Sequence, residues 1–383
     1  MDFDLSPEQQ AFQDSVRRFA QDRLADGALQ RAHDAGYPWQ IAKVLAEQGL
    51  LGIAFPEADG GQGGTLMDAV IAIQAVAEVC PKSADVVQAG NFGAIRTFAE
   101  YATDEQKARF MPGFLQGTAL LGLGMSEPEA GSAVTDLKTT ARIEGDEVVV
   151  DGTKVFSTNS PEATLFLIYC RFGPGVGGIG SVLIERGTPG LSFGKPSAFM
   201  SGEEWTQLYF ENCRIPKANV LLGEGGFRKQ ISGFNVERIG NASRALAVGR
   251  HAFEIARKHV LERRQFGRPL AEFQGLQWRF AEVAVKLDAA QLMLYRAAAS
   301  ADRALPSAYD TSVAKLACND AGFEAANLAV QAMGASGYSQ ESLVEYCFRR
   351  TRGWMIAGGS TEILKNRIAE EVFGRRFDQR AKG

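Results

Sequence analysis

The chain has 383 residues, of which 45% are hydrophobic and 22% are charged, so it can bury a large core divided over two or three packed units. Its formal charge of −4 provides no surplus of basic residues for binding a nucleic acid. The five cysteines form no Cys-x-x-Cys pair and only three histidines are present, so the sequence predicts neither a metal site nor a disulfide framework.

The N-terminus lacks the features of a targeting segment. It has no basic start followed by an apolar stretch, and no apolar run of about 18 residues occurs later in the chain. We therefore expect a cytoplasmic protein that does not interact with a membrane.

The N-terminal third of the chain has the pattern of helices. Ser6 followed by Pro7 is typical of a helix start, with an N-cap residue and a proline at the first helical position. The pattern is interrupted in the glycine-rich segment 56–64, which predicts an ordered loop, and near Pro81. Residues 1–119 are therefore predicted to form an all-helical N-terminal domain.

Between residues 120 and 223 the apolar pattern changes to that of strands, which predicts a middle β domain. An Asp151-Gly152 pair predicts a tight turn between two of these strands. The predicted strands lie at 148–150, 153–156, 165–170, 181–184 and 208–210.

One segment of this domain matches a dinucleotide-binding motif by its letters alone. Residues 175–180 fit G-x-G-x-x-G, but a short strand follows them, whereas the nucleotide motif must open a helix whose N-terminus holds the pyrophosphate. The segment therefore predicts a glycine-rich hairpin loop.

From residue 224 the helical period returns, and long helices continue to the C-terminus with a break at Pro269. Residues 224–383 are predicted to form a C-terminal helical domain. The apolar residues that share one face of its first helix are Leu246, Gly249, Phe253, Ala256 and Val260.

Two polar runs in the middle domain predict a binding site. The first covers residues 123–132 and the second covers residues 154–159. Hydroxyl groups and backbone amides on a rigid β scaffold can bond the edge of a polar heterocycle while Phe156 packs on its face.

Together with two later runs, these segments resemble the signatures of the acyl-CoA dehydrogenase family. The four runs occur in the family's order and at its spacing, and the resemblance covers essentially the whole chain. It implies an α+β fold with an N-terminal α-helical domain, a middle β-barrel or sandwich domain and a C-terminal four-helix bundle. The runs are Ser126–Ser132, Lys154–Asn159, Arg263–Gly267 with Phe273-Gln274, and Gln331–Tyr338.

The resemblance implies FAD as the cofactor. Ser126 and Thr158 match residues that bond the flavin ring, and Phe156 stands where the family usually has tryptophan, so it keeps a stacking face. The full set of implied FAD-binding residues is Met125, Ser126, Ser132, Phe156, Thr158, Arg264, Phe266, Gln274, Gln331, Gly334, Ser360 and Glu362.

Part of this set implies a homo-oligomer. Arg264, Phe266 and Gln274 match residues that hold the pyrophosphate and adenine of a neighbouring subunit's FAD, and Gln331 and Gly334 match residues at the same end. A planar guanidinium suits a pyrophosphate because it can donate two parallel hydrogen bonds. The resemblance therefore implies a dimer or a tetramer.

The reaction implied by the resemblance is α,β-dehydrogenation of an acyl-CoA thioester, with hydride transfer to flavin N5 and an electron-transfer flavoprotein as partner. Such a reaction needs a base at Cα and donors that stabilise the developing enolate. Ser132 and Arg238 match positions near the CoA moiety, and Ala357 and Gly358 match positions beside the acyl group.

Two carboxylates compete for the role of the base. Many family members use a glutamate in the C-terminal segment, but the matching residue here is Gly358. Branched-chain and long-chain members place the catalytic glutamate early in the first long C-terminal helix, where this chain has Glu237. If Glu237 is not catalytic, it is expected to be an exposed partner of Arg238. The second candidate for the base is Asp85, since some ring-desaturating relatives are thought to use an aspartate from this region. If Asp85 is not catalytic, it is expected to be a helix N-cap or a surface charge.

The acyl group is predicted from the small residues that replace the tyrosine-glutamate pair of straight-chain members. Ala357 and Gly358 should leave space beside Cα and Cβ, which favours a cyclic or α-branched acyl group. Two alternatives stay open, namely a lyase like the 3-sulfinopropionyl-CoA desulfinases and a dehydrogenase of a carrier-protein-bound prolyl-type thioester. The desulfinase alternative is weakened because residues 83–95 contain no arginine and Asp85 would repel a sulfinate.

Overall fold

The computed structural model describes residues 4–302 and 306–378. Its first part is helical, as predicted, and Ser6 caps the first helix by accepting a hydrogen bond from the Gln9 amide. Loop 56–64 separates the third helix from the fourth. The helices are α1 (Pro7–Leu24), α2 (Ala28–His33), α3 (Trp39–Glu47), α4 (Leu66–Ala77), α5 (Pro81–Ala89), α6 (Ala94–Tyr101) and α7 (Asp104–Leu115).

The middle part forms a sheet of nine strands, which confirms the predicted β domain. Its main path runs β6-β8-β3-β2-β4-β5-β9, with β1 paired to β4 and β7 paired to β8. The strands are β1 (Leu121–Gly124), β2 (Thr140–Glu144), β3 (Glu147–Thr158), β4 (Leu165–Arg171), β5 (Ile179–Glu185), β6 (Leu191–Phe193), β7 (Ser197–Ala198), β8 (Glu204–Pro216) and β9 (Val220–Leu222).

The predicted turn at Asp151-Gly152 is wrong, because β3 continues through both residues. Val150 pairs with Cys213 and Gly152 pairs with Phe210, so the register shifts here by a bulge instead of reversing the chain. Gly152 has φ 147°, and a Cβ atom on it would lie 2.5 Å from the Thr139 hydroxyl oxygen. The glycine therefore serves a close approach between strands, and pairing along β8 overrides the local turn preference.

Residues 175–178 lie in the connection between β4 and β5, and residues 179 and 180 begin β5, as the hairpin interpretation predicted. A single turn of 3-10 helix (Val176–Gly178) lies between two antiparallel strands, and no α-helix follows it. This geometry lacks the helix N-terminus that a dinucleotide pyrophosphate requires.

Long helices make up the C-terminal part, again as predicted. Between the first two helices, around Pro269, lies a small hairpin of β10 (Arg264–Gln265) and β11 (Arg268–Pro269). The helices are α8 (Phe227–Glu262), α9 (Gln274–Ala301), α10 (Ala308–Met333), α11 (Ala335–Tyr338), α12 (Leu343–Trp354) and α13 (Thr361–Val372).

Helices α8 and α10 pack together closely because glycines face each other. A Cβ atom on Gly249 would lie 2.4 Å from the Gly322 Cα atom, and one on Gly322 would lie 2.2 Å from the Ala245 carbonyl oxygen. The main core cluster joins this pair to α4 and α5, because Val70, Val87 and Leu246 belong to it. Within the described ranges no helix is long and apolar enough to span a membrane.

Candidate active site

The two polar runs of the middle domain lie side by side. The Val155 amide donates a hydrogen bond of 2.9 Å to the Ser126 carbonyl oxygen. Beside this contact, the Lys154 ammonium lies 2.8 Å from the Glu127 carboxylate, and both side chains are buried. Breaking a buried pair leaves one charge without compensation, so this pair holds the runs in fixed positions.

Phe156 presents its ring on the surface of this scaffold. The residue has φ 58°, a strained conformation for an aromatic residue, and 57% of it is exposed. Its ring lies 4.6 Å from the ring of Trp205 and 6.4 Å from that of Phe199, centroid to centroid. An exposed ring that is held in a strained backbone, with the Ser126 and Thr158 hydroxyls in the adjoining segments, fits a flat heterocycle such as the predicted flavin.

Glu237 lies on α8 and is half-buried, so its interpretation as an exposed partner of Arg238 is wrong. Burial raises the pKa of its carboxyl group, while the charges of Arg244, Lys315 and Arg238 oppose this shift. Desolvation prevails, so the carboxyl group is a stronger base than an exposed glutamate. A raised pKa and several cations around one carboxylate are features of catalytic bases.

Gly358 and Glu237 both lie next to Asn241, so the two sequence positions considered for the base come together in this structure. The link between them is Asn241, one turn along α8 from Glu237 and interacting with its carboxylate. A Cβ atom on Gly358 would lie 2.4 Å from Asn241 Nδ2. The space predicted to be free beside Gly358 is thus partly filled by an amide, because the next turn of α8 reaches across it.

Lys315 fixes the segment that contains Gly358. Its buried ammonium donates hydrogen bonds of 3.0 Å to the carbonyl oxygens of Trp354 and Gly359. Burial and the neighbouring arginines lower the pKa of Lys315 to about 7. Sequence reasoning missed both Lys315 and Asn241, because only the contacts between α8, α10 and the 358–359 turn reveal them.

We expect the activity to fall at acidic pH through Glu237. A base works only when it is deprotonated, and burial raises the pKa of this group above its ordinary value of 4.5. The rate is therefore full above the raised pKa and is lost as the pH falls through it. A profile of kcat/KM against pH tests this, and a rate that stays constant down to pH 4.5 contradicts it.

Asp85 is neither a helix N-cap nor a free surface charge, because it lies within α5 among arginines from distant helices. Arg350 donates a hydrogen bond of 2.8 Å to its carboxylate, and Arg244 lies 3.3 Å away. Glu203 is also 3.2 Å from Arg350. Arg244 and Arg350 therefore stand beside Asp85 although residues 83–95 contain no arginine, and their charges offset the repulsion predicted between Asp85 and a sulfinate.

The five residues predicted to contact a neighbouring subunit's FAD lie far from this site on their own chain. Arg264 and Phe266 belong to the exposed hairpin after α8, and Phe266 is 94% exposed. The helix from Glu237 to Glu262 rises about 38 Å, so Glu237 and this hairpin lie near opposite ends of α8. Three further exposed members of the set, at the start of α9 and the end of α10, are Gln274, Gln331 and Gly334.

The other predicted residues are scattered around the site. Arg238 is buried and donates hydrogen bonds to Asn235 and to Ser312, the latter over 3.2 Å. Ser360 is the N-cap of α13 and Glu362 lies in its first turn. The three that remain are the half-buried Met125 and the exposed Ser132 and Ala357.

Three family models match the chain over almost its whole length. Residues 6–118 match the N-terminal domain of acyl-CoA dehydrogenases, residues 122–213 the middle domain and residues 224–373 the C-terminal domain. These segments correspond to the helical, β and helical parts of the structure.

Full-length relatives and solved structures agree with this assignment. The chain is 32% identical over 386 residues to a 3-sulfinopropanoyl-CoA desulfinase of Paraburkholderia xenovorans (strain LB400), covering 99% of each. It is similar to a glutaryl-coenzyme A dehydrogenase in complex with glutaryl-CoA, with a TM-score of 0.93, 30% identity and coverage of 100% and 99%. A prolyl acyl carrier protein oxidase matches with a TM-score of 0.91, 26% identity and coverage of 96% and 100%. The chain therefore belongs to the acyl-CoA dehydrogenase family, whose FAD-dependent enzymes oxidise CH–CH bonds.

Proposed function

We propose that the enzyme dehydrogenates an acyl-CoA thioester and that Glu237 removes the α-proton. The main support is the contact of Asn241 with both Gly358 and Glu237, because a carboxylate from α8 thereby stands beside the position that carries the base in other members. Bound FAD supplies the hydride acceptor for the β-carbon. Replacing Glu237 by glutamine tests the assignment.

The chain's own residues prepare Glu237 for this step. Tyr169 is buried near Glu237 and packs against Phe234 with ring centroids 6.4 Å apart, which places apolar surface near the carboxylate. When Glu237 accepts the α-proton, its negative charge disappears, and the nearby Lys315 and Arg244 cations then favour negative charge on the substrate. The same groups thus keep the base ionised beforehand and stabilise the enolate afterwards.

We further propose that the acyl group is cyclic or α-branched. No side chain larger than a methyl group is present at Ala357 or Gly358. The tyrosine-glutamate pair of straight-chain members would occupy more of this region. The amide of Asn241 takes part of the space, but a ring beside Cα has fewer side chains to displace than in those members.

A comparison of two substrates tests this preference. We expect kcat/KM to be higher for cyclohexanecarboxyl-CoA than for butyryl-CoA, because the ring fills space that a straight chain leaves empty, and one or two buried methylene groups are worth about 10-fold or more. A clear preference for butyryl-CoA contradicts the proposal while leaving the role of Glu237 intact.

We also propose that two subunits share each FAD in a homo-oligomer. The supporting observation is the distance of about 38 Å along α8 between Glu237 and the hairpin of Arg264. Large apolar side chains near the hairpin and along α9 are exposed, as is typical of a protein interface. They are Leu261, Phe266, Trp278, Val285 and Leu292.

Replacing Arg264 by alanine is expected to release FAD, because the side chain is exposed, is paired with no carboxylate of residues 4–302 or 306–378 and can donate to a pyrophosphate. The ratio of flavin absorbance to protein measures the loss. Arg142→Ala is the matched control, since this exposed arginine is paired with Asp151 in the middle domain. A stable monomer that retains FAD contradicts the shared site.

Two alternatives concern the same site. A desulfinase-like lyase is favoured by the similarity to the Paraburkholderia xenovorans enzyme and would release sulfite without reducing the flavin. A carrier-bound substrate is favoured by the similarity to the prolyl acyl carrier protein oxidase. Flavin bleaching under anaerobic conditions by a saturated acyl-CoA distinguishes dehydrogenation from both. An electron-transfer flavoprotein is the proposed acceptor of the electrons.

A further inference from the structure

One face of α8 carries a row of polar side chains that starts at Glu237 and continues toward the C-terminus of the helix. Asn241 and Arg244 follow Glu237 at four and seven residues, so all three share this face. With a rise of 1.5 Å per residue, Asn241 lies about 6 Å and Arg244 about 10 Å beyond Glu237 along the helix axis. An acyl chain that extends from the base along this face meets an amide before any apolar side chain of this row.

The amide of Asn241 is buried, and at least one of the two donor hydrogens on its Nδ2 atom has no partner among the described residues. The residue is 1% exposed, and its carbonyl oxygen accepts a hydrogen bond of 2.6 Å from Arg244. This bond orients the amide so that Nδ2 points away from Arg244 and toward Gly358. Among the residues that the structure describes, no acceptor meets hydrogen-bond geometry with Nδ2, although the amide still interacts with the Glu237 carboxylate.

The charge of the neighbouring network indicates which group would satisfy this donor. Asp85 and Glu203 balance Arg244 and Arg350, which also pack on the ring of Trp354 at 4.8 Å and 4.6 Å. The amide also interacts with the Glu237 carboxylate, so an anion bound at Nδ2 would face the negative charge of that carboxylate and be repelled by it. A neutral oxygen accepts from the amide without this cost.

We propose that Asn241 is a specificity-determining residue that binds a neutral oxygen of the acyl group, a hydroxyl at the γ-carbon or the equivalent ring position. The inference rests on the proposed function, because it places the acyl group between Gly358 and Glu237. The hydroxyl accepts a hydrogen bond from Nδ2, and an acyl group without it leaves that donor buried and unpaired. Buried polar groups of this kind reject an analogue that lacks the matching oxygen.

Matched pairs of thioesters test the proposal on the holoenzyme. One pair is 3-hydroxycyclohexanecarboxyl-CoA, as both isomers, with cyclohexanecarboxyl-CoA; the other is 4-hydroxybutyryl-CoA with butyryl-CoA. We expect one hydroxylated member of a pair to have kcat/KM at least about 10-fold above its parent. The Kd of each thioester, read from the flavin spectrum, should change in the same direction. Cyclohexane-1,3-dicarboxyl-CoA, which carries an anion instead, should bind more weakly than both.

Asn241→Leu has a similar size and removes the donor, so the preference should disappear or reverse in favour of the parent thioester. Ser243→Ala is the control, because this buried serine of α8 donates to the Val70 carbonyl and not to the site. If the wild type has a higher kcat/KM for both parent thioesters than for their hydroxylated partners, the proposal is overturned. An equal loss for both members of a pair in Asn241→Leu also overturns it and identifies Asn241 as a positioning residue for Glu237. If no thioester is oxidised, the proposed function itself fails.

Discussion

Replacing Glu237 by glutamine is expected to lower kcat by at least about 10²-fold while FAD content and folding are preserved. Glutamine keeps the shape and hydrogen bonding of the side chain but cannot accept a proton. The buried setting strengthens the expectation, because desolvation raises the pKa of this carboxyl group above its ordinary value and makes it a stronger base. Steady-state rates with an artificial electron acceptor, together with the rate of anaerobic flavin bleaching, measure the loss.

A control on the same helix separates loss of the base from loss of charge. Glu254 forms an exposed ion pair of 2.8 Å with Arg257, so Glu254→Gln should leave kcat unchanged. Normal turnover by Glu237→Gln rules out Glu237 as the base. If Asp85→Asn is then inactive although it folds normally, Asp85 takes the role; if neither substitution matters, the dehydrogenation mechanism is wrong.

Replacing Asp85 by asparagine is expected to lower the free energy of unfolding by about 3 kcal/mol, because it leaves two buried guanidinium groups with one carboxylate fewer. Arg350 depends most on this partner, since the Asp85 and Glu203 carboxylates hold its pKa above the ordinary value against the effect of burial. The guanidinium carbon of Arg244 lies 4.8 Å from the centroid of the Trp354 ring, and the side chain cannot turn to solvent without losing that contact. Chemical denaturation followed by fluorescence and circular dichroism measures the change.

An exposed pair of the same type provides the comparison. Arg250 and Asp288 lie 2.9 Å apart between α8 and α9, and the aspartate side chain is 76% exposed. Asp288→Asn should therefore change stability by less than about 0.5 kcal/mol. Equal effects of the two substitutions would show that the network around Asp85 is no more stabilising than a surface ion pair.

Much of the architecture follows from local patterns in the sequence. The helical period, the strand period and the N-cap at Ser6 each depend on residues within a few positions, so the order of helices, strands and helices was predictable. The same holds for the hairpin at residues 175–180, where the strand after the glycines excludes a nucleotide-binding helix. The turn at Asp151-Gly152 failed because pairing with β8 overrides a two-residue preference. The domain boundaries at 119/120 and 223/224 stay predictions.

The motifs also determined the family, and the two runs predicted to bind the flavin are neighbours in the structure, because the Val155 amide donates to the Ser126 carbonyl oxygen. The environment of the base depends instead on tertiary contacts. Arg350 reaches Asp85 across 265 residues of sequence, and Asn241 meets Gly358 only because α8 passes over the 358–359 turn. Periodicity fixes which face of a helix is buried, but not which residue of another helix stands opposite. For this reason the sequence could predict Glu237 as a candidate base, whereas the tertiary structure decided its burial, its cationic neighbours and the amide beside it.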